Sequence, residues 1–184
     1  MSKLRILLIV AIQTIALGWM ILDRQQMLDS SRSVTLKVVP VDPRDLFRGD
    51  YVVLNYDISR LDIARLDGTN TMAPGSTIYV RLRRTGEGWT AIALSDTLEQ
   101  PSDTEISLRA QVLSMDAPGN GASQFITLSY GIESYFVPQG TGLAIEDAAR
   151  KGTISIDAAV DKKGRAAIKA IRQDGKPVYV EGIL

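Results

Sequence analysis

The sequence predicts a mainly β protein carried on one N-terminal transmembrane helix. The β part reads as a single β-sandwich or partly closed β-barrel domain with one or two short helices. Three observations carry this prediction. An uncharged apolar run extends from Ile6 to Leu22. From Val34 onward, segment after segment alternates apolar and polar residues, the period of two that marks a half-buried strand. The chain has 184 residues, 45% hydrophobic and 23% charged, which suits one core and excludes bulk disorder.

Composition narrows the chemistry further. With no Cys and no His, the chain cannot build disulfides, thiolate or imidazole metal sites, Cys nucleophiles or Ser-His-Asp triads. Its 21 basic and 21 acidic residues balance, which argues against a general nucleic-acid binder. No cofactor is implied. Calcium stays open only because Asp42, Asp45 and Asp50 lie close in sequence, and no EF-hand loop is present.

The apolar run comprises 17 residues between Arg5 and Asp23, with Gln13 and Thr14 as its polar members. Counting Leu4 and letting Arg5 snorkel, it reaches roughly 28 Å, near the ~30 Å of a hydrocarbon core. Lys3, Arg5 and the amino terminus precede it, while Asp23 and Arg24 cancel after it. The positive-inside bias therefore favours a cytoplasmic N-terminus and an exported remainder. The competing reading is a cleavable signal peptide, which has a shorter apolar core and ends in small residues. Here the run closes on Gly18-Trp19-Met20-Ile21-Leu22-Asp23, bulky where a peptidase needs Ala-x-Ala. A retained anchor is the expectation. Without Lys3 and Arg5 the remainder has 19 basic and 21 acidic residues, a formal charge of −2. That balance supplies no strongly basic face for anionic lipid unless local clustering creates one.

Three parts follow: an anchor over 1–22, a polar tether over 23–33 and an extracytoplasmic β domain over 34–184. In the β domain, Leu36 and Val38 alternate with Thr35 and Lys37, and a Pro-containing loop runs from Val41 to Asp50. Tyr51 to Tyr56 is a second strand, rich in aromatic and β-branched residues. Ile78, Val80 and Leu82 lead through Gly86-Glu87-Gly88 into Trp89 to Leu94, a hairpin. Ile106, Leu108, Ala110 and Val112 form one apolar row; Phe125 to Leu128 follow a Pro-Gly-Asn-Gly break. Ile154, Ile156, Ala158 and Val160 form another row before the Asp161-Lys162-Lys163-Gly164 turn, and Asp174-Gly175 turns into Val178–Val180. One helix is predicted from Leu143 to Lys151, with Gly152 as its cap. A second is predicted from Ser59, with Asp62 three residues on, to Asp67-Gly68.

Two stretches concentrate reactive side chains. The first holds Asp42, Arg44, Asp45, Arg48 and Asp50, then Tyr51 and Tyr56. Its structural reading makes Gly49-Asp50 a turn, Tyr56 a core residue on the face of Val52 and Leu54, and the Arg/Asp alternation surface ion pairs. Its functional reading makes these residues a binding surface. The second stretch holds Tyr130, Glu133 and Phe136, which line a concave site in the functional reading, with Glu133 as its polar anchor. In the structural reading Tyr130, Ile132 and Phe136 are core. Glu133 and Glu146 are the residue types that a glycosidase pairs, but no separation between them is readable. Arg81 and Arg83 share one strand face, either an anion contact or a solvated surface. No catalytic residue is assigned.

The string Gly49-Asp50-Tyr51 followed by Leu54 and Tyr56 resembles the motif for which the GDYXXLXY domain family is named. Asp42-Pro43-Arg44-Asp45-Leu46-Phe47-Arg48 before it, and Tyr130-Gly131-Ile132-Glu133 with Phe136-Val137-Pro138 and Gly140 after it, extend the likeness from roughly Thr35 to Gly164. Gln139 stands where members more often carry Glu. The resemblance implies a membrane-anchored bacterial protein of unknown function, often encoded beside or joined to polytopic membrane proteins. It supplies no catalytic assignment. A weaker similarity links the Gly-Asp strand entry to type I signal peptidases, but Val41 falls where their Ser nucleophile would stand, so that chemistry does not carry over.

The expectation is thus a single-pass protein of the bacterial inner membrane, its N-terminus cytoplasmic, held in lipid by its helix. It is expected to act as a non-enzymatic binding or accessory protein of a polytopic membrane partner. The alternatives are a carboxylate-dependent envelope hydrolase and a catalytically inactive relative of signal peptidase. In the accessory reading Gln13, Thr14 and Gly18 become helix–helix contacts.

Overall fold

The structure, a computed structural model, describes residues 2–30, 32–40, 51–68, 72–86, 88–99, 102–116, 124–136 and 142–181. Helix α1 covers Ser2–Leu28 without a break. Its large apolar side chains from Leu4 to Leu22 are exposed, so this run packs against no core among the described residues. The segment Lys3–Leu28 is long and apolar enough to cross a membrane.

The helix does not stop where the apolar run stops. It continues through Asp23–Gln26 to Met27 and Leu28, which are buried against Ala167. Arg165 grips the Asp23 carboxylate with both terminal nitrogens, at 2.9 and 3.0 Å, and binds Asp161 at 2.7 Å. Arg24 faces Glu181 at 3.6 Å, and the Ser30 hydroxyl donates to the Val160 carbonyl. The polar stretch after the apolar run is therefore fastened along the β part.

In chain order the strands are β1 (Ser33–Val39), β2 (Tyr51–Val53), β3 (Asn55–Tyr56), β4 (Arg60–Asp62), β5 (Asp67–Gly68), β6 (Thr77–Thr85) and β7 (Gly88–Ser95). They continue with β8 (Glu105–Met115), β9 (Phe125–Ser129), β10 (Ser134–Phe136), β11 (Ile154–Val160), β12 (Ala166–Gln173) and β13 (Lys176–Val180); helix α2 is Gly142–Arg150. One sheet has the order β13-β12-β11-β1-β3, another β4-β9-β8-β6-β7-β5, and β2 pairs with β10 as a separate ribbon. The fold is mainly β, and its sheet curls into a half-barrel, the partly closed form of the two architectures expected.

The period-two rows point where alternation says they must. Val34, Leu36 and Val38 of β1, Ile78, Val80 and Leu82 of β6, Leu108 and Val112 of β8, and Ile154 and Ile156 of β11 all join one buried cluster. Burying each such side chain stabilises the fold by about 1.5–3 kcal/mol, so these rows dominate its energetics. Helix α2 ends as its sequence predicts. Gly152 takes φ 69°, its N–H reaches the Ala149 carbonyl at 2.9 Å, and the Thr153 N–H reaches Ala148 at 3.1 Å.

The helix predicted from Ser59 is not formed. The segment is β4, a single 3-10 turn over Ile63–Arg65, and then β5. Leu61 and Ile63 are buried on alternate positions, a strand's spacing, and Asp62 rather than Ser59 caps the turn by accepting the Ala64 N–H at 3.2 Å. The Ser59 hydroxyl instead accepts the Tyr56 N–H at 3.1 Å. Strand β5 pairs in parallel with β7 at the edge of its sheet. There Gly68 (φ 106°) lies so close to β7 that a Cβ would meet the Leu94 carbonyl oxygen at 2.0 Å. Strand β13, at the edge of the other sheet, carries Lys176 and Pro177.

Candidate functional site

The two motif stretches come together. Strands β2 and β10 pair antiparallel, with Tyr51 opposite Phe136, Val52 opposite Tyr135 and Val53 opposite Ser134. The first motif breaks its strand at Leu54, whose N–H donates to the Glu133 carbonyl at 2.7 Å, and resumes at Asn55–Tyr56 beside β1. This kink lets one short motif belong to both the ribbon and the main sheet.

Two tyrosines interlock across the junction. The Tyr56 hydroxyl donates to the Ile132 carbonyl in the second motif. In return, the Tyr130 hydroxyl donates to the Ile58 carbonyl, just beyond the first motif, at 2.8 Å. Both rings are buried. Burial pushes both phenols well above the ordinary tyrosine range, and the Glu133 charge adds to the shift. They are neutral hydrogen-bond donors locked in the core, not acids or nucleophiles.

Glu133 organises the turn between β9 and β10. Its carboxylate accepts the Ser129 hydroxyl at 3.0 Å, the Tyr130 N–H, and the Gly131 N–H at 2.9 Å. Gly131 stands at φ 78°, where a side chain would be strained, and so lets these amides converge on one carboxylate. Expected as the polar anchor of a concave site, Glu133 is engaged by its own turn.

That turn resets the parity of the strand. Tyr130 and Ile132 are buried as the structural reading had it, but Phe136 is 77% exposed and Tyr135 takes the inward position. Phe136, Ser134 and Val53 share the outer face of the ribbon, where Val53 is 56% exposed. Tyr135, inside, meets the Tyr179 ring edge-on at 5.5 Å and donates its hydroxyl to Glu181 at 2.6 Å. Glu181 is also the residue that faces Arg24. The ribbon and α1 therefore meet on one carboxylate.

Asp42, Arg44, Asp45, Arg48 and Asp50 lie outside the described residues, and the side chains of Tyr51 and Glu146 are not described. Of the named candidates, the structure brings Tyr56, Tyr130 and Glu133 into one polar junction and sets Phe136 on its surface. The Arg81 and Arg83 face is paired with carboxylates: Arg83 meets Glu105 at 2.8 Å, and Arg81 meets Glu99. Among the described residues, no group of three or more carboxylates is placed to hold a metal ion.

Sequence reasoning missed a broad groove of about 850 Å³. Lys37, Asp57, Trp89, Thr153, Arg172 and Lys176 are among its lining residues. They come from both sheets and the loop after α2, and their only sequence signal is that most occupy outward positions. Arg172 is committed there, binding Asp157 at 2.5 Å and the Gly175 carbonyl at 2.8 Å.

A half-barrel carried on a single apolar helix, with two tyrosine motifs locked together beside the helix exit, defines a helix-bearing β protein with no assigned chemistry. Residues 13–171 match the family described as GDYXXLXY protein, and the chain belongs to that family. The match runs from within α1 to within β12, so Asp23 and its partner Arg165 lie inside the shared region, while Glu181 lies beyond it. No curated protein and no solved structure matches the chain.

Proposed function

We propose that this protein is a non-enzymatic, membrane-anchored accessory protein whose motif ribbon docks on a polytopic membrane partner. The observation that carries this reading is the meeting of ribbon and helix at Glu181, which holds an exposed apolar face (Val53, Phe136) beside a membrane segment. Aromatic side chains on such faces serve as interface anchors. In α1, Thr14 and Gly18 stand four residues apart on one side. An added Cβ at Gly18 would meet nothing within 4 Å, which leaves room for a second helix. The Thr14 hydroxyl is satisfied by the Val10 carbonyl at 2.9 Å, so close packing rather than hydrogen bonding is its contribution.

The hydrolase reading has less support. Glu133, its described carboxylate, already accepts three hydrogen bonds from the turn that it shapes. In the accessory reading the protein resides in the bacterial inner membrane with the β domain outside. Protease added to intact spheroplasts then degrades the domain, and full protection reverses the topology. The partner is tested with a photocrosslinking residue at Phe136 or Val53 in full-length protein in native membranes. The expected product is an adduct with a multi-span membrane protein. Adducts with lipid alone at both positions defeat the proposal.

A further inference from the structure

The β11–β12 turn does more than reverse the chain. We infer that Lys162 and Lys163 form a contact site for the phosphate groups of anionic lipids, held at headgroup depth by the fastening of α1. The inference rests on α1 spanning the bilayer, but not on which side the β domain occupies.

The depth follows from the helix. At about 1.5 Å per residue, the run from Ile6 to Leu22 is ~25 Å long, slightly short of a ~30 Å hydrocarbon core. Asp23, the next residue, thus falls at the boundary between hydrocarbon and headgroups. A lone carboxylate there is unfavourable, and Arg165 answers it with a two-pronged ion pair at 2.9 and 3.0 Å. Whatever is joined to Arg165 stands at the same height. Asp161 is joined directly at 2.7 Å, and its carboxylate also accepts the backbone N–H groups of Lys163 and Arg165, each at 2.8 Å. The turn is therefore pinned to the membrane boundary through a carboxylate–guanidinium–carboxylate chain.

The charge follows from the same contacts. One Arg165 guanidinium serves both Asp23 and Asp161, so the trio keeps a single negative charge against the two positive charges of the exposed lysines. Neither ammonium has a carboxylate partner among the described residues. Lys163 lies close enough to Asp23 to act on it electrostatically. Arg32 shares a small cleft with Lys162, and the one other carboxylate along that cleft, Glu99, is taken by Arg81. A chain with no net charge therefore presents a local positive surplus where lipid phosphates lie. Each such Lys near an anionic surface is worth about a fivefold preference.

The test uses the full chain in nanodiscs. Because the chain has no Cys, single labels are clean. An environment-sensitive fluorophore is placed at Leu22→Cys or at Lys163→Cys, and the quencher is a spin label on a lipid headgroup. Position 163 is expected to be quenched at least half as strongly as position 22. Quenching at 22 with none at 163 overturns the inference and leaves the anchor intact. Quenching at neither position removes the anchor reading, and the inference with it. In discs that mix phosphatidylglycerol and phosphatidylcholine, the unlabelled protein is expected to enrich the anionic lipid around itself several-fold. The Lys162→Gln/Lys163→Gln double variant is expected to lose most of that enrichment. Equal enrichment in both proteins overturns the charge assignment.

Discussion

Two junctions join distant parts of this chain, and they use polar groups in opposite ways. At the motif junction, Tyr56 and Tyr130 are buried and each donates to a backbone carbonyl of the other segment. At the helix junction, Asp23, Arg165 and Arg24 remain partly exposed and pair charge with charge. Removing a buried hydroxyl leaves its carbonyl partner unsatisfied in the core, whereas an exposed ion pair can be replaced by water. Tyr56, the last residue of the motif from which the family takes its name, is therefore a folding residue. The helix junction contributes placement more than stability.

The largest effect is expected at the tyrosine junction. Tyr56→Ala removes a buried ring and its hydrogen bond, and is expected to destabilise the β part by about 3–5 kcal/mol in chemical denaturation. Tyr130→Phe keeps the ring but orphans the Ile58 carbonyl, with an expected loss of about 1–3 kcal/mol. If both variants melt like the parent, the junction is not structural.

Alkaline titration sharpens the same point. Tyrosines in the unfolded chain ionise near pH 10, while burial keeps Tyr56 and Tyr130 protonated well beyond that. The folded state then holds protons that the unfolded state has lost. The stability from these groups is whole below pH 10 and declines above it, by up to about 1.4 kcal/mol per pH unit for each tyrosine. Tyr130→Phe should flatten that decline by one group's share, measured as the pH dependence of the denaturation midpoint. The smallest stability effect is expected at the other junction. Arg165→Gln should shift Tm by no more than a few degrees, yet spin labels on α1 and β12 should report broader relative motion. A large loss of stability there would erase the contrast between the two junctions.

Much of this arrangement could be read from the residues because strands bury alternate side chains. The rows in β1, β6, β8 and β11 are visible as letters, and so is the Gly152 cap. Two of the failures share one cause: backbone turns that shift a pattern without altering composition. Gly131 and Glu133 change the phase of the strand, so counting by twos from Tyr130 places Phe136 inside when Tyr135 is the buried residue. Ser59 and Asp62 have the spacing of a helix start, but the hydroxyl closes a tight turn and the carboxylate caps a single 3-10 turn. Along 23–33, the fastening of α1 depends on partners more than a hundred residues away, such as Arg165 and Glu181, and no local pattern announces them. Of the site itself, the sequence singled out Tyr56 and Tyr130 but not that each would serve the other segment's backbone.

Strand β5 also bears on solubility. Its 2 residues give a neighbouring molecule very little ladder to extend, and the tight approach of Gly68 to Leu94 admits no side chain there. At the edge of the other sheet, Pro177 lacks an N–H and Lys176 adds charge. Where molecules crowd, an open sheet edge invites strand-to-strand fusion. Short, charged or proline-bearing margins at β5 and β13 let these molecules crowd without templating one another's aggregation.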